Sequence, residues 1–342
     1  MVIEKCAGIT YLKNPAPSRL AATPLDFLRS VTGPTVIDIT GADETRTLVI
    51  STLIHGNEPS GLIALHKWLL QAHKPATNLR IIISSIKAAL LEPVFSHRYL
   101  PHEEDLNRCF NKLGDKPEYK RAALIKDVIA EANPIAVIDL HNTSGSGPAF
   151  SVVTQECGDR RILASYFCPR IIMTGLSLGS LMEVAIGCPI LTIECGGADD
   201  QQAHHTAYHG ICDVTQSSDC LNEGGRFKPV EVLHHPMRLE LVDNTSLSYT
   251  AEHDTSVDVN LSSSIEAFNK APVAANTALG WVESGTLDAF IVLDEKGNNV
   301  VSSILKLDGK QLKLAQNMHI FMATTRPDIA LVDCLFYIVP LP

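Results

Sequence analysis

Residues 45–59, Thr45-Arg-Thr-Leu-Val-Ile-Ser-Thr-Leu-Ile-His-Gly-Asn-Glu-Pro59, decide the reading of the fold. The run 45–53 (TRTLVISTL) is apolar and rich in β-branched residues, the composition of a buried strand. It stops on His55-Gly-Asn-Glu58, and Pro59 then takes the favoured first position of a helix. Leu62, Ile63, Leu65, Leu69 and Leu70 follow at helical spacing. A strand, a polar turn and a helix in immediate succession make the repeating unit of α/β folds.

The same alternation continues outward. Residues 79–86 (LRIIISSI) read as a second buried strand. Residues 88–110 are broken by Pro93, Pro101 and a charged HEED stretch, and read as a long loop. Loops of that length inside a compact domain are usually functional or disordered. A helix is predicted over 118–132 and a strand over 135–140 (IAVIDL), ending at His141. Further strands are predicted at 151–154, 170–174 and 189–193, separated by helical stretches near 161–167 and 178–186. This pattern predicts an α/β domain with a parallel or mixed sheet covered on both faces.

The character changes after Asn222. Glu223-Gly-Gly-Arg-Phe-Lys-Pro229 is a turn-rich linker, and beyond it lie β-like runs at 237–241, 290–293, 300–305, 319–323 and 336–339. The expected organisation is therefore an α/β domain over 1–222 and a small β-rich domain over 223–342. A length of 342 residues fits two domains at roughly 100–200 residues each.

Composition narrows the function class. The net charge of −10 argues against nucleic acid or an anionic membrane as partner, since both need a basic field. Nine cysteines without a C-x-x-C pair, in a chain too long to need a disulfide frame, predict a reduced, cytoplasmic protein. The first eleven residues carry Glu4 and Lys5 and no apolar core, so no signal peptide is expected. No apolar run of about 18 residues occurs, so no membrane span is expected.

Three predicted strands end on polar residues: Ile54 runs into His55 and Glu58, Leu140 into His141, and Ile193 into Glu194. In open α/β sheets sites form outside the carboxyl ends of strands, where residues distant in sequence converge. Two histidines and a glutamate with an open fourth position are a catalytic zinc set. A closed structural site would want a fourth ligand, often Cys, and none is offered at a fitting spacing. Asp139 and Asn142 are candidates to orient His141. In a strand Asp139 shares a face with His141, unless the turn breaks that relation. A carboxylate ending the run Pro-Ile-Leu-Thr-Ile193 is hard to bury without a partner or a role, which singles out Glu194. Cys195 beside it reads as packing rather than as a nucleophile.

His55-Gly-Asn-Glu58, Asp105-Leu-Asn-Arg108, Asp139-Leu-His-Asn142 and Ile193-Glu-Cys-Gly196 resemble the motifs of the succinylglutamate desuccinylase/aspartoacylase family. That family is related in fold to the zinc carboxypeptidases. The resemblance covers about residues 45–200, while the C-terminal region is similar to the family's β domain only in placement and character. It implies a three-layer αβα domain with a mixed central sheet, one Zn2+ per chain held by His55, Glu58 and His141, and Glu194 as general base. It further implies that Arg98, from the pair Arg98-Tyr99, polarises the scissile carbonyl. Asn107 and Arg108 would grip a substrate carboxylate.

The physical logic agrees with these roles. Zinc lowers the pKa of a bound water towards about 7 and acts as a Lewis acid. Arg108 offers a planar fork that fits a carboxylate bidentately. Arg98 could instead pair with Glu103 or Glu104, and Arg108 with Asp105. Two features depart from the family pattern. Pro101-His-Glu-Glu104 lengthens the spacer between Arg98 and Arg108. Residues 171–193 hold no Lys or Arg, where aspartoacylase-like members place a basic residue to read an acidic side chain; the only charge here is Glu183. An N-acyl-aspartate substrate is thereby disfavoured. His204, His205 and His209 follow the base and either line the pocket, bind a second metal or form a solvated helix face.

The expected activity is hydrolysis of an amide in a small carboxylate-bearing molecule of the N-acyl amino acid type. The alternative is a metallocarboxypeptidase or peptide amidase acting next to a terminal carboxylate. A non-catalytic binding protein is disfavoured, because a binder has no need of the base. The expected partner is a small molecule or short peptide. Whether the β-rich domain caps the cleft or mediates assembly into a homo-oligomer stays open.

Overall fold

The computed structural model describes residues 3–6, 8–222 and 228–341. Contacts divide the chain into two compact units, Met1–Asn142 with Ala149–Val232, and Thr143–Pro148 with Leu233–Pro342. Most of the expected linker, residues 223–227, lies outside the described residues.

The first unit is built on a ten-stranded sheet. Its strands are β1 (Ile3–Cys6), β2 (Ile9–Lys13), β3 (Thr35–Ile39), β4 (Asp43–Thr52), β5 (Thr77–Ile83), β6 (Ala136–Thr143), β7 (Phe150–Val153), β8 (Arg170–Met173), β9 (Ile190–Gly197) and β10 (Glu231–His234). They lie in the order β1-β2-β3-β5-β4-β6-β9-β7-β8-β10. β4 runs parallel to β5 and β6, whereas β3 is antiparallel to β5 and β7 is antiparallel to β9. The sheet is therefore mixed. Among the described residues six helices accompany it: α1 (Pro24–Ser30), α2 (Ser60–Leu70), α3 (Ile86–Leu90), α4 (Pro117–Glu131), α5 (Gly158–Ser165) and α6 (Gln201–Gln216).

Side-chain alternation along the central strands explains why both faces are covered. Leu48 and Ile50 of β4, with Ile138 and Leu140 of β6, join one apolar cluster with Leu65 and Trp68 of α2 and Ile211 of α6. Val49 and Val137, pointing the other way, join a second cluster with Ile125 and Ile129 of α4. Each such buried aliphatic side chain contributes about 1.5–3 kcal/mol relative to exposure. Period-2 alternation with apolar residues on both faces is what makes β4 and β6 read as continuous hydrophobic runs.

Several elements differ from expectation. The predicted strand 79–86 ends at Ile83, and Ile86 opens α3. The expected long loop 88–110 thus begins inside that short helix, and a 3-10 turn, Leu106–Arg108, closes it. The predicted helix over 178–186 is only a 3-10 turn, Leu181–Glu183. Glu183 explains this: its carboxylate accepts from the backbone N–H groups of Leu178, Gly179 and Ser180, holding the segment as a loop. Pro59 stands one place earlier than expected, at the N-cap of α2.

The second unit holds two sheets around its own core of Leu239, Val259, Phe290, Leu312 and Phe336. One sheet joins Phe290–Val292, Met237–Leu241, Phe336–Pro340 and Met318–Phe321. The other joins Leu247–Thr250, Val259–Ser262, Ala278–Val282, Gln311–Leu314 and Leu305–Asp308. The run 300–305, predicted as a strand, is a helical turn, Val301–Ile304, that leads into the strand Leu305–Asp308. Within this unit buried Asn269 bonds the carbonyls of Ser146 and Ala323, and Glu266 accepts from the Ser146 and Thr325 amides.

Candidate metal centre

β4, β6 and β9 are neighbours in the sheet, and each delivers a polar side chain near its carboxyl end. Beyond β4 the chain turns at Leu53, whose φ of 53° is left-handed, a conformation that costs a non-glycine residue on the order of 1–3 kcal/mol. The turn carries His55 and Glu58 into the interior, at 2% and 5% exposure. Gly56 is required there: a Cβ would lie 2.6 Å from the Ala89 amide nitrogen and 2.7 Å from the His97 carbonyl oxygen. The loop bearing Arg98 is thereby held directly against the turn, and the Gly56 N–H donates to the Arg98 carbonyl (3.0 Å).

The two histidines approach one carboxylate from two sides. His55 Nδ1 lies 2.8 Å from Glu58 Oε1, and His141 Nδ1 lies 2.7 Å from Glu58 Oε2. Each ring's other nitrogen meets a different carboxylate: His55 Nε2 with Asp105 Oδ1 at 2.9 Å, and His141 Nε2 with Asp139 Oδ2 at 2.7 Å. The ligand atoms of His55, Glu58 and His141 all lie within 4.8 Å of one another, so this set could hold a metal ion. The donor chemistry fits zinc, whose histidine ligands almost always pass their second N–H to a carboxylate or carbonyl. Among the described residues no other group of three or more His, Cys, Asp or Glu is so placed.

Glu194 on β9 is the remaining carboxylate. It sits opposite Phe150 in the register of β7 and β9, and its Oε2 is buried without a hydrogen-bond partner. Burial, reinforced by the Glu58 charge, pushes its carboxyl up to about 7 against the pull of His141, His55 and Arg98. Glu58 and Asp105 go the other way. Burial would raise them, but the imidazoles outweigh it and hold both well below the usual carboxylate range. His141 is buried too, yet Asp139 and Glu58 hold its pKa well above the ordinary value.

Arg98 turns inward rather than to Glu103 or Glu104. Its Nε donates to Asp105 Oδ2 (2.9 Å), and Nη1 lies 3.4 Å from Glu58 Oε1. Glu103 is taken by Arg121, and Glu104 by Lys112, Lys116 and Tyr119. Asn107 is buried, and its Oδ1 accepts from the Leu181 amide (3.0 Å). The half-buried Arg108 donates from Nη1 to the Asn107 carbonyl (2.9 Å), and its charge helps hold Asp105 low. His55, Glu58, His141 and Glu194 are thus brought together with Arg98, while Asn107 and Arg108 stand on the turn that follows Asp105. Sequence reasoning missed Asp105 as a link between His55 and Arg98. Its place at the head of Asp105-Leu-Asn-Arg108 was the available signal.

Residues 44–204 match the model of the succinylglutamate desuccinylase/aspartoacylase catalytic domain. The matched span runs from β4 to the start of α6 in the α/β unit. All four motifs quoted from the sequence lie inside the matched span. A comparison with curated protein sequences finds no match. Among solved structures the chain is similar to a succinylglutamate desuccinylase from Vibrio parahaemolyticus, at 14% identity and a TM-score of 0.54, covering 88% of this chain and 96% of that one. It is similar to murine aminoacylase 3 at 14% identity and a TM-score of 0.52, covering 88% and 99%. It is also similar to the product-bound ectoine utilization protein EutE (DoeB) from Ruegeria pomeroyi, at 16% identity and a TM-score of 0.52, covering 84% and 82%. At these identities the likeness establishes a shared fold. Among the described residues no helix is long and apolar enough to cross a membrane.

Proposed function

We propose that the protein is a zinc-dependent hydrolase that cleaves the amide bond of an N-acyl amino acid or a similar small carboxylate-bearing molecule. The family match supports an enzyme acting on amide bonds. The observation that carries the finer reading is the pairing of a carboxylate-braced His-Glu-His set with the buried, unpartnered Oε2 of Glu194.

His55, Glu58 and His141 would hold the zinc, which when bound lowers the pKa of a water and polarises the amide carbonyl. Glu194 takes the proton from the attacking water and returns it to the leaving nitrogen; a carboxyl raised to about 7 suits both halves of that transfer. Arg98, held by Asp105, directs a fixed positive charge at the oxygen that becomes negative in the transition state. Arg108 grips the substrate carboxylate through its guanidinium fork, with Asn107 fixing the turn it stands on.

The test is metal-reconstituted protein assayed on a panel of N-acyl amino acids and dipeptides. Hydrolysis of the N-acyl amino acids, with about one zinc per chain that is lost in His55→Ala and in His141→Ala, is expected. Cleavage restricted to peptides would replace this reading with the carboxypeptidase or amidase alternative. Unchanged metal content in both variants would remove the metal centre.

A further inference from the structure

α2 begins in an unusual way. Its N-cap residue is Pro59, which has no side-chain acceptor and makes no capping bond. The first backbone N–H groups of a helix have no partner within it. Here the Ser60 N–H is satisfied from another strand: it donates to Asn142 Oδ1 at 3.0 Å. Asn142 is the residue after His141 on β6, and Ser60 is two residues after Glu58.

The Asn142 amide is used on both sides. Its Nδ2 donates to Ser60 Oγ (2.8 Å) and to the Gly196 carbonyl (2.8 Å), two residues beyond Glu194 on β9. Only this amide orientation sets a donor against Gly196 and an acceptor against the Ser60 N–H. Because Ser60 Oγ accepts from Asn142, its own proton is left to donate to His204 Nδ1, 2.8 Å away on α6. The chain of bonds runs His204–Ser60–Asn142–Gly196 and touches the segments bearing Glu58, His141 and Glu194. The Asn142 N–H also points at Glu58 Oε2, at a long 3.3 Å. Ser60 and Asn142 are buried, at 0% and 4% exposure, whereas His204 is half-buried. The fit is tight: a Cβ on Gly61 would fall 2.3 Å from Thr52 Oγ1 and 2.9 Å from Leu140 Cβ, so α2 starts hard against the ends of β4 and β6.

We propose that Ser60, Asn142 and His204 are positioning residues, a hydrogen-bonded relay that sets Glu58, His141 and Glu194 in register, with His204 orienting the Ser60 hydroxyl from α6. The proposal rests on the metal-centre reading above. It assigns His204 to this relay, in contrast to the neighbouring exposed His205 and His209. Outer partners of ligand-bearing groups are worth 10–100-fold in metal affinity or activity.

The experiment compares Ser60→Ala, His204→Phe, His204→Asn and the double variant Ser60→Ala/His204→Phe with the wild-type chain. Zn2+ affinity is read by competition with a chromophoric chelator, and kcat and KM are read separately on an N-acyl amino acid. Ser60→Ala should lower zinc affinity and kcat about tenfold or more with little change in KM. His204→Phe should do the same more weakly. His204→Asn, which keeps an acceptor near the Nδ1 position, should restore both. The double variant should be no worse than Ser60→Ala, since His204 acts through Ser60. Wild-type zinc affinity and kcat in Ser60→Ala, or additive losses in the double variant, would overturn the relay. If Ser60→Ala fails to fold, His204→Phe against His204→Asn decides at the half-buried end, and equal values for those two would overturn it. If the wild-type protein hydrolyses no amide, the zinc-affinity series still decides the relay, and only the functional reading fails.

Discussion

Asp139 and His141 stand two residues apart on β6, and the strand pleat brings Asp139 Oδ2 to 2.7 Å from His141 Nε2. Their sequence spacing alone sets this relation, and it survives because β6 stays regular through Thr143. The bond turns Nδ1 toward Glu58 and fixes the tautomer that a metal ion needs. Asp139→Ala should therefore lower zinc affinity about 10–100-fold while the fold is kept. Chelator competition measures this, and wild-type affinity in the variant would remove Asp139 from the site.

Glu194 differs from its neighbours because burial outweighs the pull of His141, His55 and Arg98 on its carboxyl. Burial raises its carboxyl, whereas Glu58 and Asp105 are held low by the imidazoles. A carboxyl raised towards neutrality is suited to proton transfer. Glu194→Gln preserves shape and volume, so zinc should stay at about one per chain while turnover falls roughly 10²–10⁴-fold. Metal analysis and kcat on the same preparation check the claim, and turnover at the wild-type rate would take Glu194 out of the mechanism.

Cys195, next to Glu194, tests whether a thiol takes part. It is 2% exposed, and burial together with the Glu194 charge pushes its pKa well above the ordinary value. Cys168 and Cys220 are raised in the same way, to about 12 and about 11. A thiol acts as a nucleophile only as thiolate. Cys195→Ala should therefore keep kcat within about threefold, far above the loss expected from removing a nucleophile. Native protein at pH 8 should resist iodoacetamide at Cys195, Cys168 and Cys220 until it is unfolded, as peptide mapping would reveal. Rapid native alkylation of Cys195 with loss of activity would reverse the assignment.

What sequence could and could not foresee follows from locality. The places of His55 and His141 were readable because continuous apolar runs stop abruptly on them, although β6 itself runs past the expected end at Leu140 and through His141 to Thr143. Glu58 follows three residues after the first of them. The 3-10 turn Leu181–Glu183 was not readable: its apolar residues recur at helical spacing, and the Glu183 side chain overrides that pattern by capturing the backbone N–H groups. Strand Leu247–Thr250 was missed because all four of its residues are half-buried, so no alternation marks it. The bonds of Asp105 to His55 and of Ser60 to Asn142 join residues 50 and 82 positions apart, and no local pattern encodes such pairs.

Arg108 carries the last prediction, through the contrast between its fork and a point charge. Asn107 Oδ1 is committed to the Leu181 amide, so the Asn107 carboxamide cannot turn freely to meet a ligand. The Arg108 Nη1 bond to the Asn107 carbonyl then orients the guanidinium plane. A carboxylate met by that plane can take two parallel N–H bonds, which a lysine ammonium cannot supply. A charge-assisted hydrogen bond contributes about 1.5–3 kcal/mol, so Arg108→Lys should raise KM roughly 10–100-fold with a smaller change in kcat and unchanged zinc content. The comparison becomes specific when the substrate carboxylate is replaced by a carboxamide. Wild type should lose most of its advantage over Arg108→Lys on that analogue, because the interaction removed from the protein is the one already removed from the ligand. An equal penalty on both substrates would mean that Arg108 supports the turn after Asp105 and grips nothing.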